Sequence, residues 1–565
     1  MTIPKILSLD LETSGLGFNS DIISIAVAAN FNGNESSLVK SWLVTGGDLF
    51  SKPSPIPVVV DELACLIDQA DVVALHNAAF DLSFLFGKGL LLPNRVKGKV
   101  FDTLSTARMT GPRESVSLDN LCSFYKLGTD RWRAMKKARG NLSHLSVASV
   151  LEYNELDAIN TLRLAEILWQ ESVTIYGTDF TLHESDYCRL MAEVRVRGKH
   201  LDREAIQTYE ERLLRERRRI LKYILFPLRI EGPNDRVGLI KYLKRMGFFD
   251  FSMTEKGSVS VGKDQLDDII EKLEAVGTRQ TVMVCRAVQR VRHSEKILNT
   301  YIVPLVEEHA DAQDTIHPSF CVGGTVTYRL SSSNPNGQNM PRELAYVLWT
   351  PYLSADYSQA ELRLAAAYAQ EPTLAQAFAN GLDVHLDTAK RMFGEARAKE
   401  MRKTAKNINF LALYGGGAKT LSERYGVPIE NAREFLRLHR QVYPPLYQAS
   451  RLAQTTWQER GYVKLVSSKR IYATKDDLLR GYKAFNNIIQ GGVGELVKEA
   501  MLALDAQGIP MIGQVHDAIE FPLDVDREAI RRVMENVLPD AIATRTIPPI
   551  QMKVDFDVKG TKSRG

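Results

Sequence analysis

The chain has 565 residues, 44% hydrophobic and 25% charged, which is the balance of a globular chain and not of a disordered or collagen-like one. Lys and Arg number 72 against 68 Asp and Glu, so the net charge of +4 alone argues for no nucleic-acid partner, and five scattered cysteines without a Cys-x-x-Cys pair indicate neither a zinc site nor a disulfide framework. At about 150 residues per domain the length predicts three or four domains, and with no apolar run of about 18 residues and no signal peptide, a reducing cytoplasmic setting without a membrane partner is expected.

KILSLD (5–10) and IISIAVA (22–28) read as strands apolar enough to be buried on both faces. A helical stretch at 60–70, a strand VVALH (72–76) and helices near 78–86 and 145–170 complete an expected α/β domain over roughly the first 175 residues. Residues 202–225 and 280–308 read as long charged helices, with turn and loop expected between them in TEKGSVSVGKDQL (254–266). From about 311 helices and short strands alternate, and RLSSSNPNGQNMP (329–341) is expected to be irregular. No tandem repeat is present. Basic residues cluster at 130–140, 212–223 and 286–296; each run alone is a solvated helix face, and three together suit a surface that tracks phosphates.

Asp10 and Glu12 lie two apart at a predicted strand end, so both carboxylates project from one face. Alone, the pair is a turn with a helix cap. HNAAFDLSFL (76–85) adds Asp81 at a helix start, and YNELD (153–157) adds Asp157 on a helical face near Tyr153. Four such acids could gather two divalent cations, because clustered carboxylates repel unless a metal neutralises them. Two metals can activate a water and stabilise the leaving oxygen of a phosphodiester.

In YLSADYSQAELRLAAAYA (352–369), Asp356 ends a predicted strand, and Ser358 with Glu361 has the spacing of a capping box, leaving Gln359 facing solvent. In MRKTAKNINFLALYGGG (401–417), Arg402, Lys406, Phe410 and Tyr414 recur every four residues, forming a stripe that is cationic first and aromatic last. An ordinary amphipathic helix shows the same pattern, but the order also suits phosphate at one end and a stacked base at the other. MIGQVHDAIEF (511–521) reads as two short strands with His516 and Asp517 at the turn. Asp356 and Asp517 could meet on one sheet and share two Mg²⁺.

The first set of motifs resembles the proofreading 3′→5′ exonucleases: Asp10-x-Glu12, Asn77-x3-Asp81 and Tyr153-x3-Asp157, in order and without a substitution among the acids. That resemblance implies metal binding by Asp10, Glu12, Asp81 and Asp157, water orientation by Tyr153 and a substrate contact for Asn77. The later segments, together with 325–341, GLDVHLDTA (381–389) and AFNNIIQGGVGELVK (484–498), resemble the family A DNA polymerases. By that resemblance Asp356, Asp517 and the Tyr357 carbonyl bind the catalytic metals. His385, Arg402 and Lys406 contact the triphosphate, Phe410 and Tyr414 form the nucleoside pocket with Glu361 packed near Phe410, and Gln359 is a further substrate-binding residue. Arg329, Asn486, Gln490 and His516 lie along the primer–template.

The implied fold is multidomain α+β: an RNase H-like exonuclease domain (1–180), then a right-hand polymerase. Palm base and thumb fill 181–310, palm 311–372 and 486–565, and fingers 373–485. Primer–template DNA and deoxynucleotides are the implied partners, with two Mg²⁺ at each site, for which Mn²⁺ could substitute. An exonuclease beginning at residue 3 leaves no room for a preceding 5′-nuclease, so a bacteriophage replicative enzyme is expected, working beside a helicase, primase or single-stranded DNA-binding protein. The thumb segment of roughly 110 residues is too short for a thioredoxin-binding insertion as well.

Two departures stand out: Ala518 follows Asp517 where many relatives carry a second acid, and Tyr328 stands where a glycine is usual. A single-subunit RNA polymerase should lack Glu361 and the exonuclease acids. A dedicated exonuclease with an inert second half should have lost Asp356, Asp517 or Lys406. A non-enzymatic binding protein leaves the ordered carboxylates unexplained.

Overall fold

Alternation along β1 (Ile6–Thr13) sends its odd and even residues into two different cores. The computed structural model describes residues 3–31, 38–46, 52–138, 146–253 and 257–560. With β2 (Ile22–Ala29), β3 (Leu38–Leu43), β4 (Val72–Leu75) and β5 (Val100–Asp102), β1 forms a sheet in the order β3-β2-β1-β4-β5. The β1–β2 and β2–β3 pairs are antiparallel, and β1–β4 and β4–β5 are parallel.

Leu7, Leu9 and Leu11 pack with Val59, Leu63 and Leu190 on one face. On the other, Ile6 meets Leu162, Ala165 and Leu168 of the helix Val147–Tyr176, and Ser8 donates to the Ala158 carbonyl at 2.7 Å. The even residues of β1 therefore face this helix, which is how Asp10 comes to meet it. Ser146 caps its first turn by accepting from the Ser149 N–H.

A second sheet orders the strands Gly513–Val515, Ala518–Phe521, Tyr352–Tyr357 and Val554–Lys559. Around it stand the helices Ala360–Ala369, Val384–Phe393, Glu395–Leu413, Pro444–Arg460 and Lys483–Ala506. Both sheets belong to one compact unit, Met1–Gly198 with His317–Asn339 and Tyr352–Val558.

The other unit is Lys199–Ile316 with Met340–Pro351 and Lys559–Gly565. Its helices Arg203–Ile220, Arg236–Arg245, Lys263–Ala275 and Arg279–Lys296 close over Leu239, Leu243, Leu266, Ile269, Val288 and Val291. Within it, the basic runs are partly paired: Arg217 with Glu295 at 3.1 Å and Arg286 with Glu274 at 2.5 Å. Arg212, Arg215, Arg218 and Arg219 stay exposed. No described helix is long and apolar enough to cross a membrane.

Several expected boundaries shift. The helix expected at 60–70 is Ile56–Gln69, because Pro57 fits a first turn whose N–H has no intrahelical partner. The stretch 254–266 is not all loop, since a helix starts at Lys263, while 254–256 lie outside the described residues. Within 329–341, Ser331–Ser333 pairs as a strand with Ser319–Cys321. The two long charged helices widen into π-type turns at Leu221–Leu225 and Ile297–Ile302. Of the basic run 130–140, residues 139–140 lie outside the described residues.

Candidate active sites

Asp10, Glu12 and Asp157 bring carboxylate oxygens within 4.8 Å of one another. Asp81, one turn into the helix Ala78–Gly87, is buried close enough to act on both β1 acids. Burial, then Asp157, Asp81 and Glu12, push the Asp10 carboxyl well above the ordinary carboxylate range, and the Asn154 hydrogen bond only partly opposes them. Asp81 is likewise raised by burial, against backbone N–H groups that favour its charged form. A cluster of buried acids held at this electrostatic penalty fits hard divalent cations, which take oxygen ligands.

The supporting contacts are side chains that motif reading passes over. Asn154 donates to Asp10 Oδ2 at 2.7 Å and accepts from Ser24 Oγ at 2.9 Å, and Trp132 Nε1 donates to Asp157 Oδ1 at 2.6 Å. Asp102, fully buried, accepts from the Ala78 and Ser105 N–H groups and so ties two helix starts together. Asn77 is the left-handed residue (φ 69°) that turns β4 into the Ala78–Gly87 helix, and its side chain makes no cap bond. Tyr153 is buried with Cys122 and Trp132, one turn before Asp157.

In the second sheet Asp356 faces Ala518 in register, and the Tyr357 N–H donates to the Asp517 carbonyl at 3.4 Å. The hairpin turn at left-handed His516 (φ 58°) thereby sets Asp517 beside Asp356, within hydrogen-bond reach of its carboxylate. Burial raises the Asp517 carboxyl, Arg329 opposes that shift and Glu361 adds to it. This pair too is a donor set for hard cations. Glu520 is buried against Gly513 and pairs with Ser354, so it does not replace the acid missing at Ala518. The Tyr357 phenol is buried and donates to the Met534 carbonyl at 2.9 Å, leaving only its backbone for the site.

The capping-box reading of Glu361 is corrected. The helix begins at Ala360, with left-handed Gln359 (φ 55°) at its N-cap and no side-chain cap bond. Glu361 instead accepts from Arg329 Nη2 and from the Tyr414 hydroxyl, each at 2.8 Å. Gln359 is exposed, as expected.

Arg402 and Lys406 are exposed on the Glu395–Leu413 helix, Phe410 is half-buried, and Tyr414 forms its C-cap ahead of left-handed Gly415 (φ 67°). Arg402 Nε donates to Asp383 at 2.7 Å. The Phe410 ring lies 5.9 Å from His385 and 6.2 Å, nearly parallel, from Tyr414. Burial lowers His385 to about 4, so it is neutral near pH 7. Asn409 Nδ2 donates to His385 Nδ1 at 3.0 Å and its Oδ1 accepts from His439 Nε2 at 2.8 Å, which leaves the His385 proton on Nε2. Asn486 and Gln490 share one face of the Lys483–Ala506 helix, and Asn486 Oδ1 is a buried acceptor without a partner among the described residues. Arg329 and His516 line one small cleft with Gln338 and Gln514.

Sequence comparison agrees with this division. Residues 3–172 match the 3′-5′ exonuclease family and residues 205–563 match DNA polymerase family A. The chain is 28% identical over 526 residues to DNA polymerase I of Chloroflexus aurantiacus, across 84% of this chain and 53% of that protein. It is 34% identical over 301 residues to the thermostable DNA polymerase I of Thermus aquaticus, across 48% and 36% respectively. The chain thus spans about half, or less, of the length of these curated relatives. The fold matches the polymerase domain of Pol1 from M. smegmatis, solved in complex with DNA primer-template and dNTP, with a TM-score of 0.74 at 20% identity over 99% of this chain and 96% of that one. The chain belongs to DNA polymerase family A and carries a 3′-5′ exonuclease domain ahead of its polymerase domain.

Proposed function

We propose that the chain is a template-directed DNA polymerase that extends a primer 3′ end with deoxynucleotides and proofreads with a 3′→5′ exonuclease. The observation that carries the reading is the presence of two separate carboxylate sites on two sheets, one within each family match. In this reading 1–180 is the exonuclease, 181–310 palm base and thumb, 373–485 the fingers, and the segments flanking the fingers the palm.

Asp356, Asp517 and the Tyr357 carbonyl hold Mg²⁺ at the polymerase site, and Asp10, Glu12, Asp81 and Asp157 hold it at the exonuclease site. When bound there, such ions lower the pKa of the attacking hydroxyl or water and neutralise the leaving oxygen. The protein positions the rest. Arg402 and Lys406 meet the triphosphate as exposed cations, and His385 offers its Nε2 proton to the same group. Phe410 and Tyr414 stack the nucleoside. Glu361 borders its sugar, next to Gln359. Arg329, Asn486, Gln490 and His516 contact primer–template. Asn77 contacts the exonuclease substrate, and Tyr153 acts from beside Asp157.

A labelled primer–template with Mg²⁺ tests the reading. Deoxynucleotides should give extension, their omission should give 3′ shortening, and ribonucleotides alone should give no ladder. Shortening without extension under any nucleotide set would reduce the chain to an exonuclease.

A further inference from the structure

Tyr328 holds a left-handed backbone (φ 58°), a region that side-chain-bearing residues rarely adopt without compensation. Its side chain supplies that compensation at a seam between the two halves of its unit. The hydroxyl has one proton and two carbonyls in reach: Arg470 in the strand Arg470–Tyr472 at 2.7 Å, and Arg108 in the exonuclease helix Thr103–Thr110 at 3.2 Å. The Lys469 ammonium sits 4.3 Å from the ring centroid, a cation–π distance. Lys469 is itself fixed, 2.5 Å from Glu184 of the helix Thr178–Arg197. The tyrosine is thus clamped at its tip and on its face.

The residue so clamped immediately precedes Arg329. A tight turn joins them: the Tyr328 N–H donates to the Thr325 carbonyl at 3.2 Å, and Thr325 Oγ1 donates to the Arg329 carbonyl at 2.7 Å. Arg329 then reaches into the polymerase site, 2.8 Å from Glu361 and near enough to Asp517 to favour its charged form. Chain direction at Tyr328 therefore decides where the Arg329 guanidinium lies.

We propose that Tyr328 is a positioning residue for polymerisation, anchoring the turn that aims Arg329 by tying it to the exonuclease helix and to Lys469. The proposal rests on the polymerase reading above. It requires a functional dependence between Tyr328 and Arg329 that packing alone would not produce.

A double-mutant cycle on the full chain tests it, reading single-turnover primer extension, digestion of single-stranded DNA and melting temperature. Tyr328→Phe keeps the ring and removes the hydroxyl. It should slow extension by about tenfold while single-strand digestion stays within about twofold. In an Arg329→Ala background the same change should slow extension no further. Tyr328→Gly relieves the backbone and removes both contacts, and should be at least as slow as Tyr328→Phe. Equal losses in both backgrounds, wild-type extension by Tyr328→Phe, or faster extension by Tyr328→Gly would each overturn the proposal and leave the polymerase reading intact. A wild-type chain that fails to extend would overturn both.

Discussion

The Tyr414 hydroxyl donates to Glu361 Oε2 at 2.8 Å, joining the end of the Glu395–Leu413 helix to the first turn of Ala360–Ala369. Burial and the carboxylate together raise the Tyr414 phenol well above its usual range, so it stays a donor at any working pH. Glu361 is thereby held against Arg329 and Tyr414 and not at a helix cap, and in the proposed function it borders the nucleoside sugar. Glu361→Ala should raise ribonucleotide incorporation relative to deoxynucleotide by about tenfold or more, which is about 1.4 kcal/mol of discrimination. Because Glu361 also accepts from Arg329 and Tyr414, its removal should lower the melting temperature modestly as well, so the sugar ratio is the deciding readout. An unchanged sugar ratio, measured with the exonuclease inactivated, would remove Glu361 from the pocket.

Phe410 lies between His385 and Tyr414 and is half-buried; in the proposed nucleoside pocket a hydroxyl added at its para position would face the bound sugar. A tyrosine there can replace the hydrogen bond that a dideoxynucleotide lacks. Phe410→Tyr should therefore raise the dideoxy-to-deoxy incorporation ratio by about tenfold, the worth of one hydrogen bond in a dry pocket. A destabilised protein with the wild-type ratio would mean that the ring is only a core aromatic.

Asp10, Glu12 and Asp157 repel one another without a counter-ion, so Mg²⁺ should bind the folded state and raise its melting temperature. Asp10→Asn removes one of the repelling charges. It should raise the melting temperature in EDTA and shrink the Mg²⁺ response at the exonuclease site. Titration of thermal stability against Mg²⁺, in a background lacking Asp356 and Asp517, reads both effects. An equal response with and without Asp10 would argue against metal binding there.

Glu184 of the helix Thr178–Arg197 lies buried between Lys469 and Lys498, which tie that helix to the turn before Arg470–Tyr472 and to the Lys483–Ala506 helix. Burial raises its carboxyl, but the two lysines outweigh that and hold it at about 2, against an ordinary 4.5. Because the folded value is the lower one, this stabilisation is present above about pH 4.5 and lost as pH falls toward 2. Glu495, raised by burial in the same cluster, slopes the other way, its contribution fading as pH rises through its raised value. Glu184→Gln should cost about 3–5 kcal/mol near pH 7 and flatten the acid limb of the stability curve. Urea unfolding between pH 3 and pH 7 measures both; an unaltered acid limb would show that Glu184 is not the group responsible.

What the sequence made legible was local. Asp10 and Glu12 share a strand parity, Asp81 reads at a helix start, Asp157 on a helical face, Asp356 at a strand end and Asp517 at a turn between two short strands. The residues that hold them in place lacked any such signal. Asn154 reaches Asp10 from 144 positions away, and Trp132 lies inside a run that reads only as basic. Asn409, which sets the His385 tautomer, looks like an ordinary helix polar residue until His439 folds against it. The spacing of Ser358 and Glu361 matches a capping box, but the left-handed turn at Gln359 moves the N-cap one residue on, which the spacing does not reveal. Strand β3, LVKSWL, carries no clear sequence signal, because its polar residues mask the alternation and its pairing is supplied by β2.

The claim of two independent carboxylate sites in one chain is tested most directly by separating them. Extension of a labelled primer–template and digestion of single-stranded DNA should be measured side by side, in Mg²⁺, on variants shown to be folded. Asp10→Ala with Glu12→Ala should abolish digestion and leave extension within about twofold, whereas Asp356→Ala or Asp517→Ala should lower extension by at least about a thousandfold and leave digestion unchanged. Loss of both activities from either set of changes would contradict it.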